Sequence, residues 1–127
     1  MSEILWIGMG GFLGAVLRYM VSGSVQLFFS DTAFPLGTLI VNLIGSFVIG
    51  LLSVVSETQD IFSLESRSFV FVGLLGAFTT FSTFGNESFN LFQSGNTGGA
   101  WGNIGLHIGL GLAAVWLGRA AGQALRP

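Results

Sequence analysis

The sequence predicts an all-α membrane protein with four transmembrane helices, the third of them interrupted. First, 51% of the 127 residues are hydrophobic and only 8% are charged, with a mean hydropathy of +0.79, whereas soluble domains carry about 25% charged residues. Second, the few charges leave four long apolar segments between them. Third, one of these segments is crowded with glycine, threonine and serine, unlike an ordinary lipid-facing helix. We therefore expect most of the exterior to face membrane lipid.

Each apolar segment is long enough to cross a bilayer. The charge-free run at residues 32–56 would span about 38 Å as a helix, against about 30 Å of hydrocarbon. The first segment begins beside Glu3 and not beside a basic region, so we expect it to remain in the mature protein. The short connections leave no room for another domain. Residues 1–127 are therefore expected to form one domain, with helices at about 4–29, 34–56, 68–92 and 99–120.

The composition excludes several classes of protein. With no cysteine and a single histidine, His107, the chain cannot build a thiolate or multi-histidine metal site. With no lysine and a net charge of −2, it has no basic patch, which argues against nucleic acid as a partner. It also lacks HExxH, GxSxG and phosphate-loop motifs and paired intramembrane carboxylates. We expect no enzyme; the strongest enzyme alternative is a serine protease using His107 with Ser46 or Ser82.

Glycine is expected to hold the helices together. The chain has 20 glycines, about twice the usual share of about 7%, and helices in lipid associate through small residues that let their backbones approach. This small-residue surface also suggests homo-oligomerisation, because one four-helix bundle is thin for enclosing an aqueous path. Glycines four residues apart form the pairs Gly10/Gly14, Gly98/Gly102, Gly105/Gly109 and Gly118/Gly122.

The arginines give a weak topological bias. With four spans, Arg67, Arg119 and Arg126 share one side of the membrane with both termini, which favours cytoplasmic termini. The bias rests on few charges, so a chain of this kind could insert in both orientations, which would permit an antiparallel dimer.

Polar residues inside the spans are candidates for function because they are costly in lipid. Arg18 keeps its charge, so it must face a water-filled vestibule, a helix carboxyl end or an anion. Asn42 lies mid-span with two amide N–H donors, and it must bind either a second helix or the contents of a pore. Glu87, near the end of the third segment, is the remaining candidate.

Residues 73–88 predict the interruption of the third helix. Gly73 and Gly76 permit non-helical backbone, and the hydroxyl groups at residues 79–83 can satisfy carbonyls freed by a break. Carbonyl groups that converge at a break can hold a small hard cation such as Na⁺.

Three phenylalanines in the same stretch recur every third residue. Phe78, Phe81 and Phe84 therefore lie roughly along one face of a helix. They either pack in the core or present their ring edges to an anion, since the edge of a phenyl ring is its positive side.

Three motifs resemble the Fluc or CrcB family of fluoride channels, over nearly the whole chain. They are GGFLGAVLRY at residues 10–19, GTLIVNLIGSF at 37–47 and GAFTTFSTFGNE at 76–87. The resemblance implies four-helix subunits in an antiparallel, dual-topology homodimer, with two pores at the interface and a central structural Na⁺. It also implies a passive channel in the plasma membrane, the inner membrane of a bacterium, that exports fluoride from the cytoplasm and relieves fluoride toxicity.

The resemblance also implies roles for individual residues. Phe81 and Phe84 look like the ring pair whose edges contact fluoride, and Asn42 looks like the pore-lining amide. Arg18 and Glu87 look like vestibule residues. The remaining implied residues are the pore hydroxyls of Thr38, Ser82 and Thr83 and the Na⁺-binding carbonyls of Gly76 and Thr79. The fourth helix departs from the family pattern, because glycines stand where relatives carry serine or threonine.

The residues by themselves leave other functions open. An intramembrane arginine, an amide and ring edges indicate a small anion, whereas fluoride in particular is implied by the resemblance. A small proton-coupled exporter of drugs or cations is the main alternative, although the first helix offers only Glu3, at its extreme end, as the carboxylate such exporters need. A non-transporting assembly protein is a further alternative, and it leaves Asn42 and the hydroxyl and phenyl cluster unexplained.

Overall fold

Four helical spans make up the protein, as predicted. The structure is a computed structural model that describes residues 2–125, so Arg126, one of the arginines in the topology prediction, lies outside the described residues. All four spans are long and apolar enough to cross a membrane. Their ends differ from the predicted bounds by up to four residues, as where the third begins at residue 64 and not 68. The spans are α1 (Ser2–Phe28), α2 (Leu36–Thr58), the third span (Leu64–Gln93) and the fourth (Thr97–Ala124).

The third span is built from several pieces, which confirms the predicted interruption. Between its last two helical pieces, Thr79 (φ −84°, ψ 158°) and Thr80 (φ −151°, ψ 118°) are extended. The pieces are α3 (Leu64–Arg67), a π-helical segment (Ser68–Leu75), the single turn α4 (Gly76–Phe78) and α5 (Phe81–Gln93), so the fourth span is α6.

The break lies at two threonines and not at the glycines from which it was predicted. Gly76 is helical, with φ −61° and ψ −38°. Gly73 serves close packing instead, because a Cβ there would lie 2.6 Å from the carbonyl oxygen of Ile7 in α1. Thr80 suits the break because its hydroxyl accepts a hydrogen bond from the Thr83 N–H at 3.3 Å and so caps the first turn of α5.

Asn42 of α2 holds the broken backbone by two hydrogen bonds. The Thr80 N–H donates to Asn42 Oδ1 at 2.8 Å, and Asn42 Nδ2 donates to the Thr80 carbonyl oxygen at 3.0 Å. A backbone group without a partner at membrane depth costs several kcal/mol, and no water is present in hydrocarbon to replace it. The Asn42 amide therefore satisfies both polar groups of one extended peptide residue.

Glycine contacts join the helices in two close pairs, α1 with the third span and α2 with α6. A Cβ on Gly14 would collide with the carbonyl oxygen of Leu74, and one on Gly118 with that of Phe47. The pairs Gly10/Gly14 and Gly118/Gly122 thus pack as predicted, whereas a Cβ at Gly98, Gly105 or Gly109 would meet nothing within 4 Å.

The outside of the helix bundle is apolar. Few side chains are buried within the chain, among them Leu39, Val41 and Val54. Large apolar side chains such as Leu27 and Phe28 are 80% and 85% exposed. Such a surface suits a hydrocarbon environment and not water.

Substituting Gly14 tests the close approach of α1 and the third span. We expect Gly14→Ala to lower the free energy of unfolding by about 1–3 kcal/mol, because the added methyl group meets a backbone carbonyl that cannot move aside. Gly23→Ala, in the same helix but with nothing within 4 Å of its Cβ, is the control and should leave stability unchanged or raised. Denaturant titration in mixed micelles measures both. Equal effects of the two substitutions would contradict this packing.

Removing the Asn42 amide tests the support of the break. Asn42→Leu keeps the number and branching of the side-chain heavy atoms but leaves the Thr80 N–H and carbonyl without their partner, so we expect a loss of about 1–3 kcal/mol in the same titration. Asn86→Leu, on the exposed surface of α5, is the matched control. An Asn42→Leu protein as stable as the control would show that the break does not depend on this side chain.

Candidate ion-binding site

An open cavity of about 380 Å³ lies beside the break in the third span, and we name it the break cavity. Asn42 of α2, Thr79 and Thr80 at the break, and Phe81 and Phe84 of α5 all line it. Two helices and the extended segment thus bring an amide, two hydroxyls and two phenyl rings to one place.

The two phenylalanines of α5 form a pair at its first turn. The ring centroids of Phe81 and Phe84 lie 5.5 Å apart, with planes inclined by 57°. Phe81 is 83% exposed, whereas Phe78, before the break, is only 7% exposed. The prediction that all three share one face is therefore wrong for Phe78: the extended residues between α4 and α5 separate it from the other two, and it packs in the core.

Asn42 combines the two interpretations that the sequence left open. Its Oδ1 and one Nδ2–H bind the Thr80 backbone, which joins α2 to the third span. An amide nitrogen carries two hydrogens, so a second N–H is present on the same atom. Asn42 also lines the break cavity, which places this second donor beside the phenyl pair.

A second cavity, of about 270 Å³, contains the intramembrane arginine, and we name it the arginine cavity. Arg18, Thr38 and Thr83 line it together with Thr80, which also lines the break cavity. The Thr80 hydroxyl donates to that of Thr83 at 2.9 Å. Within residues 2–125 the one ion pair joins Arg119 and Glu57, so the Arg18 guanidinium faces this cavity without a carboxylate partner.

Glu87 lines a third cavity, of about 460 Å³. The Thr38 hydroxyl donates to Glu87 Oε1 at 2.7 Å. The other carboxylate oxygen, Oε2, is buried and has no hydrogen-bond partner within the described chain. Thr38 lines the arginine cavity and Glu87 lines the third cavity, so the hydrogen bond between them lies between these two spaces.

The break also releases the backbone carbonyls of residues 76–79 from the helical pattern, and those of Gly76 and Thr79 are two of them. The Thr80 N–H, which would bond the Gly76 carbonyl in a continuous helix, binds Asn42 instead. The Thr83 N–H, which would bond the Thr79 carbonyl, binds the Thr80 hydroxyl instead. Both freed oxygens are hard ligands of the kind that alkali and alkaline-earth cations prefer.

Ser82 is not brought to these cavities. Its side chain is exposed, and it lines none of the three cavities described above. Its position between Phe81 and Thr83 turns it away on a helix, since neighbouring residues point in directions about 100° apart.

Two residues of α6 join the site without having been predicted in it. Asn103 is fully buried and donates to Ser88 Oγ at 2.9 Å, and the Ser88 hydroxyl donates to the Phe84 carbonyl at 2.8 Å. The His107 ring lies 4.3 Å from that of Phe84. Their spacing of four residues places them on one helix face, which is the signal in the sequence that could have found them.

Comparison with known proteins gives one consistent family. The family model described as CrcB-like protein, Camphor Resistance (CrcB), matches residues 5–119. A protein of Methanosarcina acetivorans named fluoride-specific ion channel FluC 1 is 51% identical over 119 residues, which cover 94% of this chain and 89% of the relative. The FluC proteins of Shewanella woodyi and Hydrogenovibrio crunogenus are 48% and 45% identical, over 94% and 95% of this chain and 94% and 91% of their own.

The names of these relatives describe ion channels and not enzymes. The family match covers most of the sequence, and the motifs that carry the earlier resemblance, at residues 10–19, 37–47 and 76–87, all lie within it. With four membrane-spanning helices and an interrupted third span, the chain belongs to the CrcB family of multi-pass membrane proteins.

Proposed function

We propose that this protein is a passive, fluoride-selective ion channel of the plasma membrane that lets fluoride leave the cytoplasm and so relieves its toxicity. The observation that carries the proposal is the meeting of Phe81, Phe84 and Asn42 in the break cavity. The names of the relatives support fluoride as the ion. No contact favours the proton-coupled exporter, since Glu3 remains the only carboxylate of α1 and Glu87 binds Thr38.

The cavity chemistry suits an anion that must bind and leave quickly. Conduction requires sites that are favourable enough to enter and weak enough to leave. The positive edges of Phe81 and Phe84 and the second N–H of Asn42 offer weak contacts of this kind. Arg18, without a carboxylate partner in its cavity, adds the long-range attraction that draws an anion into a low-dielectric path.

The same chain would work as an antiparallel, dual-topology homodimer. Phe81 is 83% exposed, so in a single chain one side of the proposed ion-binding pair is open. The uncovered glycines of α6, Gly98, Gly105 and Gly109, offer a second helix close backbone approach. A partner of the same sequence would close the path on this side, and membrane lipid would cover the rest of the apolar surface.

A structural Na⁺ at the centre of this dimer fits the freed carbonyls. Gly76 and Thr79 each supply one carbonyl oxygen that the helix does not use, so two chains would together present four. These two residues would hold the ion, and its positive charge would compensate backbone oxygens that are otherwise without hydrogen bonds in the membrane. Within residues 2–125 no cluster of three or more His, Cys or acidic side chains provides an alternative metal site.

An efflux experiment tests the function. The purified protein is reconstituted into liposomes loaded with potassium fluoride or potassium chloride, and release is followed with ion-selective electrodes after a K⁺ ionophore is added. Rapid fluoride release with negligible chloride release is the expected result. Release of neither anion from folded protein, or release that needs a pH gradient, would contradict a passive fluoride channel.

Replacing either ring tests the ion path itself. We expect Phe81→Ile and Phe84→Ile to reduce fluoride efflux by about fivefold or more, because each removes an edge contact worth about 1 kcal/mol or more. Phe89→Ile, on the exposed surface of the same helix, is the matched control and should conduct normally. Normal flux in both ring variants would place the path elsewhere.

Withdrawal of sodium tests the proposed ion at the dimer centre. Protein purified with K⁺ or N-methylglucamine in place of Na⁺ should lose dimer stability by about 2.7 kcal/mol, if the Na⁺ used was about 100 times its dissociation constant. The dimer fraction in detergent and the fluoride efflux are measured before and after Na⁺ is returned. A dimer equally stable without Na⁺ argues against a structural ion.

A further inference from the structure

His107 is a titratable residue within the proposed ion path that the mechanism above does not use. It is the only histidine in the sequence. Its ring lies against that of Phe84, with centroids 4.3 Å apart and planes inclined by 37°, and it lines the break cavity. Phe84 in turn pairs with Phe81. The imidazole therefore lies directly behind a ring whose edge is proposed to contact the ion.

The hydrogen bond of His107 determines which nitrogen changes its protonation. Nδ1 lies 2.9 Å from the carbonyl oxygen of Asn103. A carbonyl oxygen only accepts, so Nδ1 carries a hydrogen in both the neutral and the protonated ring. The second proton must bind at Nε2, which is buried and has no hydrogen-bond partner in the described chain. An imidazolium here would place an unpaired positive charge out of reach of water, which disfavours it while the path is empty.

The charged groups on the elements packed against His107 are few and are turned elsewhere. On α2 the one charged residue is Glu57, which pairs with Arg119 of α6 at 3.2 Å, three turns along that helix from His107. On α5 it is Glu87, whose Oε1 accepts from Thr38. Among residues 2–125, no acidic or other basic side chain lines the break cavity beside His107. An anion at the Phe84 edge would therefore be the nearest counter-charge.

We propose that His107 is an electrostatic determinant of the ion path, whose protonation strengthens anion binding at the edge of Phe84. The inference rests on the proposed function and adds a residue to it. A positive charge stacked on Phe84 attracts an anion at the edge of that ring. Linkage makes this effect reciprocal. Protonation of His107 raises the affinity for the anion, and a bound anion raises the proton affinity of His107 by the same factor. Anion occupancy rises as the pH falls and His107 becomes charged, and the current rises with it at fluoride concentrations too low to saturate the site.

Current recording in planar bilayers tests the pH dependence. Fluoride current at fixed voltage and symmetric, sub-saturating fluoride is measured from about pH 8.5 to about pH 4.5, a range that also covers protonation of an imidazole whose charged form is disfavoured. Neutral hydrogen fluoride crosses lipid but carries no current, so its leak does not contribute. We expect the wild-type current to rise by about fivefold or more on acidification.

Two variants show which group is responsible. His107→Gln keeps a polar amide near the position of Nε2 but cannot titrate, so its current should not change with pH. Glu87→Gln removes the other titratable group of the site and should retain the pH-dependent rise, whatever its absolute current. A flat wild-type profile, or a rise that persists in His107→Gln, overturns the proposal while leaving the fluoride channel in place.

A spectroscopic measurement decides the same point without conduction. Because His107 is the only histidine, the imidazole ¹⁵N resonances of a protein without a histidine tag report on it alone. We expect the Nδ1–H tautomer at high pH, and a shift toward imidazolium when fluoride is added at constant pH near neutrality. Resonances unaffected by fluoride overturn the His107 proposal. Absence of any wild-type fluoride current instead contradicts the proposed function, and the resonances still decide the proton linkage.

Discussion

The structure depends on the pair of hydrogen bonds between Asn42 and the backbone of Thr80. A helix broken inside a membrane exposes backbone groups that lipid cannot satisfy, so a break persists only where protein supplies partners. One amide supplies both here. Once the Thr80 N–H is held by Asn42, the Gly76 carbonyl loses its helical partner, and the Thr80 side chain is placed to cap a new helix. That helix begins at Phe81, which brings the phenyl pair into the break cavity.

The Asn42–Thr80 contact joins α2 to the third span, and close backbone approach holds each of these two spans against another neighbour. Glycines let α1 lie directly on the third span and α2 on α6, at distances where any side chain would collide with a carbonyl. In lipid such contacts replace hydrophobic burial as the source of helix association. The core is therefore small, and most of the apolar surface is turned outward. The polar residues gather around the break because that is where the irregular backbone requires them, and the cavities lie at the same place.

The sequence predicts the number of spans well, because the thickness of the bilayer sets the length of the apolar segments between charged residues. It also predicts an interruption of the third span, because glycine, threonine and serine crowd one segment. It does not predict the exact position of the break, because a glycine can either break a helix or let two helices pack closely. Gly73 packs against α1, and the break lies at the threonines instead. The face of Phe78 was beyond a regular helical period, which fails across two extended residues. Ser82 follows the helical period within α5, and its pore role was implied by the resemblance and not by its face. The place of Asn103 and His107 in the site was not predicted, because a glycine-rich helix hides which of its faces meets α5.

The most direct test of this account is the backbone conformation of Thr79 and Thr80 in a lipid bilayer. Solid-state NMR on protein labelled with ¹³C reports it through the Cα, Cβ and carbonyl shifts. The account predicts extended-type shifts at these two threonines, between helical shifts at Phe78 and Phe81, and loss of the extended pattern at Thr80 in Asn42→Leu. Helical shifts running without interruption from Phe78 to Phe81 in the wild-type protein would contradict it.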